Sequence, residues 1–265
     1  MSPGQATFLG ILQGLTEFLP VSSSGHLVLG QALLGLELPG VFFEVILHLG
    51  TLVSVVWVYR ARLASLIHGA LTRDASSWRY VLLLLLASVP AGLVGALGES
   101  FFEEIFGQPL VVAAFLLLTG AIVWTIRRTA PAASEPEPSA GQAVWIGVAQ
   151  AAAILPGISR SGATVAAGAW RGVEVVRAAE FSFLLSIPAI VGAGILQLGE
   201  FRTAVGAIHP LSLAAGFVAA LLSGVLAIRV FVGLLRRRRF HLFSYYCWAV
   251  GATYLAGALF VPGLR

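Results

Sequence analysis

The chain has no lysine, a single cysteine and little charge of either sign. All 16 of its basic residues are arginines, and charged residues occupy only 11% of 265 positions. A soluble domain carries about a quarter charged residues, so a water-facing globular enzyme is excluded. The lone Cys247 sits in an apolar segment. It rules out an intramolecular disulfide framework and reads as a buried thiol. Met1 to Gly10 lack a basic leader and an A-x-A-like cleavage site, so no cleavable signal peptide is expected there. Arginine set around apolar segments marks the loops of a membrane protein. No nucleic-acid partner is expected from it.

What the sequence has is apolar length. Hydrophobic residues make up 58% of it, and its mean hydropathy is +0.93. Long apolar stretches run at about Val41–Tyr59, Tyr80–Gly98, Pro109–Ile126, Ala178–Gly199, Leu211–Leu235 and Phe243–Pro262. These predict six transmembrane helices. Pro90 and Pro188 fall inside two of them, which neighbouring helices can tolerate.

Two more apolar stretches, Gln5–Leu36 and Gln142–Ala169, are broken by polar elbows. The first elbow is Pro20-Val21-Ser22-Ser23-Ser24-Gly25-His26 and the second is Pro156-Gly157-Ile158-Ser159-Arg160-Ser161-Gly162. Each reads as short helix, elbow, short helix, the pattern of a re-entrant hairpin. Irregular backbone at membrane depth persists only when buried in protein or lining a wet cavity.

At an offset of 137 residues, Gly10 matches Gly147, Gln13 matches Gln150, Ser22 matches Ser159, Ser24 matches Ser161 and Gly25 matches Gly162. The expected fold is therefore an all-α polytopic membrane protein, with six transmembrane helices, two re-entrant hairpins and an inverted-topology repeat. It forms a single membrane domain, with one half over 1–126, an exposed linker over 127–141 and the inverted half over 142–265. Three spans per half turn the second half upside down, and inverted repeats place a site near the midplane. On this topology Arg60, Arg62, Arg73, Arg79, Arg127, Arg128, Arg171, Arg177 and Arg236–Arg239 share one side. The other side receives Arg202, Arg265, Glu99, Glu103 and Glu104. The positive-inside rule makes the arginine-rich side cytoplasmic and puts both termini outside.

The elbows concentrate the intramembrane polarity, and such groups are functional candidates by default. Gln13 and Glu17 are four apart and share a helical face. Ser22, Ser23, Ser24 and His26 follow them, and the second elbow adds Ser159, Arg160, Ser161 and Thr164. Each elbow presents the free N–H groups of a helix start, a ready anion site, and Arg160 adds bidentate geometry for phosphate. Glu17 with Gln13 can hold a divalent cation, or Glu17 can act as a base. His26 can serve as nucleophile, base or acid. The set suits phosphoryl transfer. The plainer readings are Arg160 and Glu17 as a structural ion pair, His26 as a packing residue and single serines as helix caps. Glu44, His48 and Glu180 either line the same cavity or pair with Arg160. His68, His209 and His241 sit at span ends, and Trp57, Trp78 and Trp124 near the expected interfaces.

Gln13 through His26, with Pro156 through Thr164, resembles the two signatures of the undecaprenyl-diphosphate phosphatase, or bacitracin-resistance, family. The resemblance covers nearly the whole chain. It implies hydrolysis of undecaprenyl diphosphate to undecaprenyl phosphate and inorganic phosphate, which recycles the lipid carrier of wall synthesis. It also implies a divalent cation (Mg2+ or Ca2+) and an outward-facing site in the bacterial inner membrane. Carried onto this sequence, Gln13 and Glu17 are the metal or base pair, and Ser23 is a candidate nucleophile with His26 its competitor or partner. Ser159, Arg160 and Thr164 grip the diphosphate, flanked by Ser22, Ser24 and Ser161. The bilayer and the polyprenyl lipid are the expected partners, and a homodimer is left open. The rival reading, drawn from the broken inverted repeats, is a polyprenyl-phosphate flippase.

Overall fold

The computed structural model describes residues 1–36, 42–98, 102, 105, 108–129, 132–196 and 208–260. Arg202, Arg265, Glu99, Glu103 and Glu104 lie outside the described residues. Eleven helices follow one another among the described residues: α1 (Pro3–Phe18), α2 (Ser23–Leu33), α3 (Phe42–Val58), α4 (Arg60–Leu71), α5 (Ala75–Leu97) and α6 (Pro109–Thr129), then α7 (Ala140–Ala152), α8 (Arg160–Trp170), α9 (Val175–Leu196), α10 (Pro210–Arg236) and α11 (Leu242–Phe260). The only β-pairing there is an isolated bridge between Glu135 and Val173. The chain is an all-helical integral membrane protein. Four helices, α5, α6, α9 and α10, are long and apolar enough to cross a bilayer, and the pair α3–α4, bent by 76°, makes a fifth candidate. In α11, at the last predicted span, Tyr245, Tyr246, Trp248 and Tyr254 dilute the apolar character.

Helix starts are set by side chains that satisfy the free N–H groups of a first turn. Ser2 with Gln5 and Ser139 with Gln142 form two capping boxes of the same kind, so α1 and α7 begin alike. Asp74 accepts from the Ser77 N–H at 2.8 Å, which moves the start of α5 ahead of the predicted Tyr80. The Ser76 and Ser77 hydroxyls hold that exposed carboxyl down at about 2, so the cap stays ionised well into acid. His209 caps α10 by accepting from the Leu211 N–H.

The elbows follow from their prolines and glycines. Pro20 forces Leu19 into extended backbone at the end of α1, and Ser22 then turns back with φ +67°. In the second elbow Gly157 takes φ +95°, and a Cβ there would strike the Val112 carbonyl. Only glycine meets both demands.

The first hairpin is held by close backbone approach. A Cβ added at Gly10 or Gly14 on α1 would collide with the backbone of Gly216, Ala220 and Gly224 on α10. Small residues facing one another let membrane helices pack at short range. Beneath the elbows, Phe18, Phe183 and Phe231 form an edge-on chain, with both successive ring centroids 5.5 Å apart. This core fixes the end of α1, and with it Glu17.

Most described residues of the predicted linker are exposed, and several are tied to neighbouring segments. α6 continues to Thr129, and Ala133 is buried. Glu137 pairs with Arg62 at 3.1 Å and Arg79 at 3.9 Å. The Ser134 and Glu135 N–H groups donate to the Gly172 carbonyl.

Candidate active site

The two elbows meet inside the bundle. The Gly157 N–H donates to Ser22 Oγ at 3.2 Å, and the Ser161 hydroxyl donates to the Leu19 carbonyl at 3.2 Å. Cys247 reaches the same turn through its thiol, which donates to the Pro20 carbonyl.

Glu17 is the hub. Its Oε1 accepts from Arg160 Nη2 at 2.5 Å. Its Oε2 accepts from the Ser23 hydroxyl at 2.7 Å and from Gln13 Nε2 at 3.1 Å. His48 Nε2 stands 3.7 Å from the same oxygen. A second Arg160 nitrogen, Nη1, donates to the Ser182 carbonyl at 3.2 Å. A cavity of about 180 Å³ opens at this junction, lined by Glu17, Ser23, Ser24, His48, Ser159 and Arg160 among others. A hydroxyl, a carboxylate that can take its proton, and a guanidinium thus face one polar space.

The structure brings Gln13, Glu17, Ser23 and Arg160 into direct contact and sets Ser22, Ser24 and Ser159 around them. Ser159 caps α8 by accepting from the Gly162 N–H at 3.2 Å. Ser161 and Thr164 are fully buried and do not line the cavity. Thr164 donates to the Arg160 carbonyl at 2.7 Å and meets Ser182 Oγ at 2.6 Å, so it braces the start of α8. His26 lies apart from Glu17. Its Nδ1 contacts the Ser22 carbonyl at 2.8 Å and its Nε2 the Tyr246 hydroxyl at 2.7 Å. It lines a separate apolar pocket with Val112 and Leu116.

Of the other polar residues, His48 lines the cavity, and its Nδ1 donates to the Glu44 carbonyl at 2.7 Å. Glu44 accepts from Gln31 at 2.6 Å. Glu180 neither lines the cavity nor pairs with Arg160. It binds Arg62 at 3.0 Å and Arg177 at 3.3 Å, beside the linker.

Sequence reasoning missed Thr119, Ser182 and Tyr246. The Thr119 hydroxyl donates to the Gly157 carbonyl at 2.8 Å and accepts the Ser159 N–H at 3.0 Å, stapling the second elbow to α6. The available signal was a hydroxyl in the middle of an apolar span, where polar groups need partners.

Among the described residues no cluster of three His, Cys, Asp or Glu side chains could hold a metal. A mixed donor set is present instead. Gln13 Oε1 is buried with no hydrogen-bond partner. It belongs to an amide whose other atom already touches Glu17, and the oxygen and nitrogen of an amide can exchange places. With Glu17 Oε2 and His48 Nε2 it offers oxygen and nitrogen donors of the kinds divalent cations use.

The family profile described as "Bacitracin resistance protein BacA" matches residues 6–253. A protein named undecaprenyl-diphosphatase from Rubrobacter xylanophilus is 46% identical, over 95% of this chain and 97% of its own. Proteins of the same name from Methanobrevibacter smithii and Desulfosudis oleivorans are each 42% identical, covering 96% of this chain and 97% and 98% of theirs. A match of that extent places this protein in the BacA family of bacitracin resistance proteins.

Proposed function

We propose that this chain hydrolyses undecaprenyl diphosphate to undecaprenyl phosphate and inorganic phosphate, the reaction named for its relatives. The observation that carries the reading is the Ser23–Glu17–Arg160 contact at the wall of a polar cavity inside an apolar bundle. The diphosphate head enters between the elbows while its polyprenyl tail stays among lipid. Arg160 leaves Glu17 in part to meet the incoming phosphate, a geometry guanidinium suits better than ammonium. Ser23 Oγ attacks the terminal phosphorus as its proton passes to Glu17, and the bond to the bridging oxygen breaks, releasing undecaprenyl phosphate. Glu17 gives that proton to the departing phosphate oxygen. Water then attacks the phosphoserine phosphorus as Glu17 takes its proton, the bond from phosphorus to Ser23 Oγ breaks, and the proton returns to Ser23 Oγ with release of inorganic phosphate. The helix starts at Ser23 and Arg160 supply N–H groups to the phosphoryl oxygens.

A divalent cation, Mg2+ or Ca2+, would be held by the oxygens of Glu17 and Gln13. When bound it supplies positive charge to the transferring phosphoryl group. We place the protein in the inner (plasma) membrane with six spans and two re-entrant hairpins. The cavity and both termini face outward, because the arginine-rich ends gather on the opposite side.

The test is phosphate release from undecaprenyl diphosphate by purified protein in detergent. Release should require a divalent cation and should vanish in Glu17→Gln and Ser23→Ala. A protein that leaves the lipid intact under all cations tried is not this enzyme.

A further inference from the structure

We infer that a second cavity, at the arginine-bearing end of the bundle, is a binding site for the phosphate head group of an anionic membrane phospholipid. This does not depend on the hydrolytic reading. The cavity measures about 590 Å³ and lies where the ends of α6, α9, α10 and α11 come together. That volume falls within the range of ordinary ligand sites.

Its walls suit an amphiphile. Arg127, Arg236 and Arg238 bring three positive charges, while Ile126, Val175 and Phe240 make an apolar side. One carboxylate, Glu174, lines it, but that side chain is committed to the start of α9. It accepts from the Val176 N–H at 3.1 Å and the Arg177 N–H at 2.9 Å. Among the described residues no carboxylate comes within ion-pair distance of Arg127, Arg236 or Arg238.

A neighbouring cavity at the same end makes the contrast. There Arg62, Arg79 and Arg177 are neutralised from within by Glu137 and Glu180. The first cavity keeps its positive charge for something outside the chain.

Its arginines are also arranged. Arg127 stacks over the Trp124 ring with its guanidinium carbon 4.4 Å from the ring centroid. His241 and Tyr245 meet the same indole edge-on. Arg238 holds a left-handed backbone, φ +56°, at the close of α10. Aromatic side chains at this level belong to the membrane–water interface, and basic pockets between helices there bind phosphorylated lipid heads. The plainer role of Arg127 and Arg236, complementing the helix ends on which they sit, explains neither the cavity nor Arg238.

The chain supplies its own control, because Arg128, Arg237 and Arg239 carry equal charge beside the cavity without lining it. The experiment is native mass spectrometry of the full chain in detergent, titrated with phosphatidylglycerol or phosphatidylcholine, with inorganic phosphate as a third arm. Phosphatidylglycerol should be retained and phosphatidylcholine should not. The triple variant Arg127→Gln/Arg236→Gln/Arg238→Gln should weaken retention by about tenfold or more, since each lost bond is charge-assisted. Arg128→Gln/Arg237→Gln/Arg239→Gln should change it by less than about threefold. Equal losses from both triples would overturn the site in favour of diffuse surface charge. Displacement of the lipid by millimolar inorganic phosphate would overturn the lipid in favour of a free-anion site. If the first triple does not fold, the unmodified chain still decides. Phosphatidylglycerol should slow amide hydrogen exchange at residues 126–129 and 234–242 but not at 60–71, and uniform slowing refutes the assignment.

Discussion

Tyr246 donates its hydroxyl proton to His26 Nε2 across 2.7 Å, from α11 to α2. For the neutral imidazole the direction is forced. His26 Nδ1 faces the Ser22 carbonyl at 2.8 Å, a group that only accepts, so the imidazole proton sits on Nδ1 and Nε2 must accept. The rings also stack, 15° from parallel. Both nitrogens are thus employed in holding the first elbow, and His26 does not line the Glu17 cavity.

It follows that phosphate trapped during turnover resides on Ser23 and not on His26. Acid-quenched protein digested and read by mass spectrometry should show phosphoserine at position 23 alone. Tyr246→Phe should lower kcat by no more than about tenfold, the scale of one neutral hydrogen bond. Phosphohistidine at position 26 would reverse the roles.

Arg160 and Glu17 are each partly consumed by the other, so removing either strands a buried charge. Arg160→Ala should destabilise the protein by about 3–5 kcal/mol and abolish phosphate release. Arg160→Lys should restore much of the stability, because one ammonium can still meet Glu17 Oε1. It should leave activity low, since the bidentate fork is lost. Thermal unfolding in detergent beside phosphate release separates the two effects. Restored activity in the lysine variant would argue that Arg160 is structural only.

Much of this site was legible in the sequence for one reason. Polar residues in a 58% hydrophobic chain stand out, and those at the two elbows had nowhere to go but toward each other. Gln13 and Glu17 are one helical turn apart, so their contact follows from helix geometry alone. The Glu17–Arg160 contact spans 143 positions and was legible only through the likeness of the two elbows. Tertiary pairings without a repeat to announce them, such as Glu180 with Arg62 or Tyr246 with His26, left no trace in local pattern. Charge alone could not show that Glu180 pairs with Arg62 and Arg177 rather than with Arg160.

Gln13 should influence cation affinity more than substrate affinity. Its buried Oε1 has no partner, and a carboxylate there would add charge to the same donor set. Gln13→Glu should tighten binding of Mg2+ or Ca2+ to the lipid-free protein, read by isothermal titration. Gln13→Ala should weaken it by about tenfold, with a smaller change in KM. An unchanged isotherm in both variants would remove Gln13 from the cation site.

Thr119 gives the most discriminating test of how the second elbow is built. Its hydroxyl donates to Gly157 and accepts from Ser159, so one side chain satisfies two backbone groups on either flank of the elbow. Gly157 is already confined by φ +95° and by the Val112 carbonyl, leaving the loop no easy way to repair the loss. Thr119→Val preserves shape but orphans a buried carbonyl and a buried N–H, each costing about 1–3 kcal/mol. Thr119→Ser keeps the hydroxyl and should stay within about 1 kcal/mol of the parent, the cost of one methyl group. Because Ser159 is the cap of α8 and Arg160 its first residue, the valine variant should also lower kcat more than it raises KM. A valine variant that melts with the parent would mean the elbow is held by Ser22 and Ser161 alone.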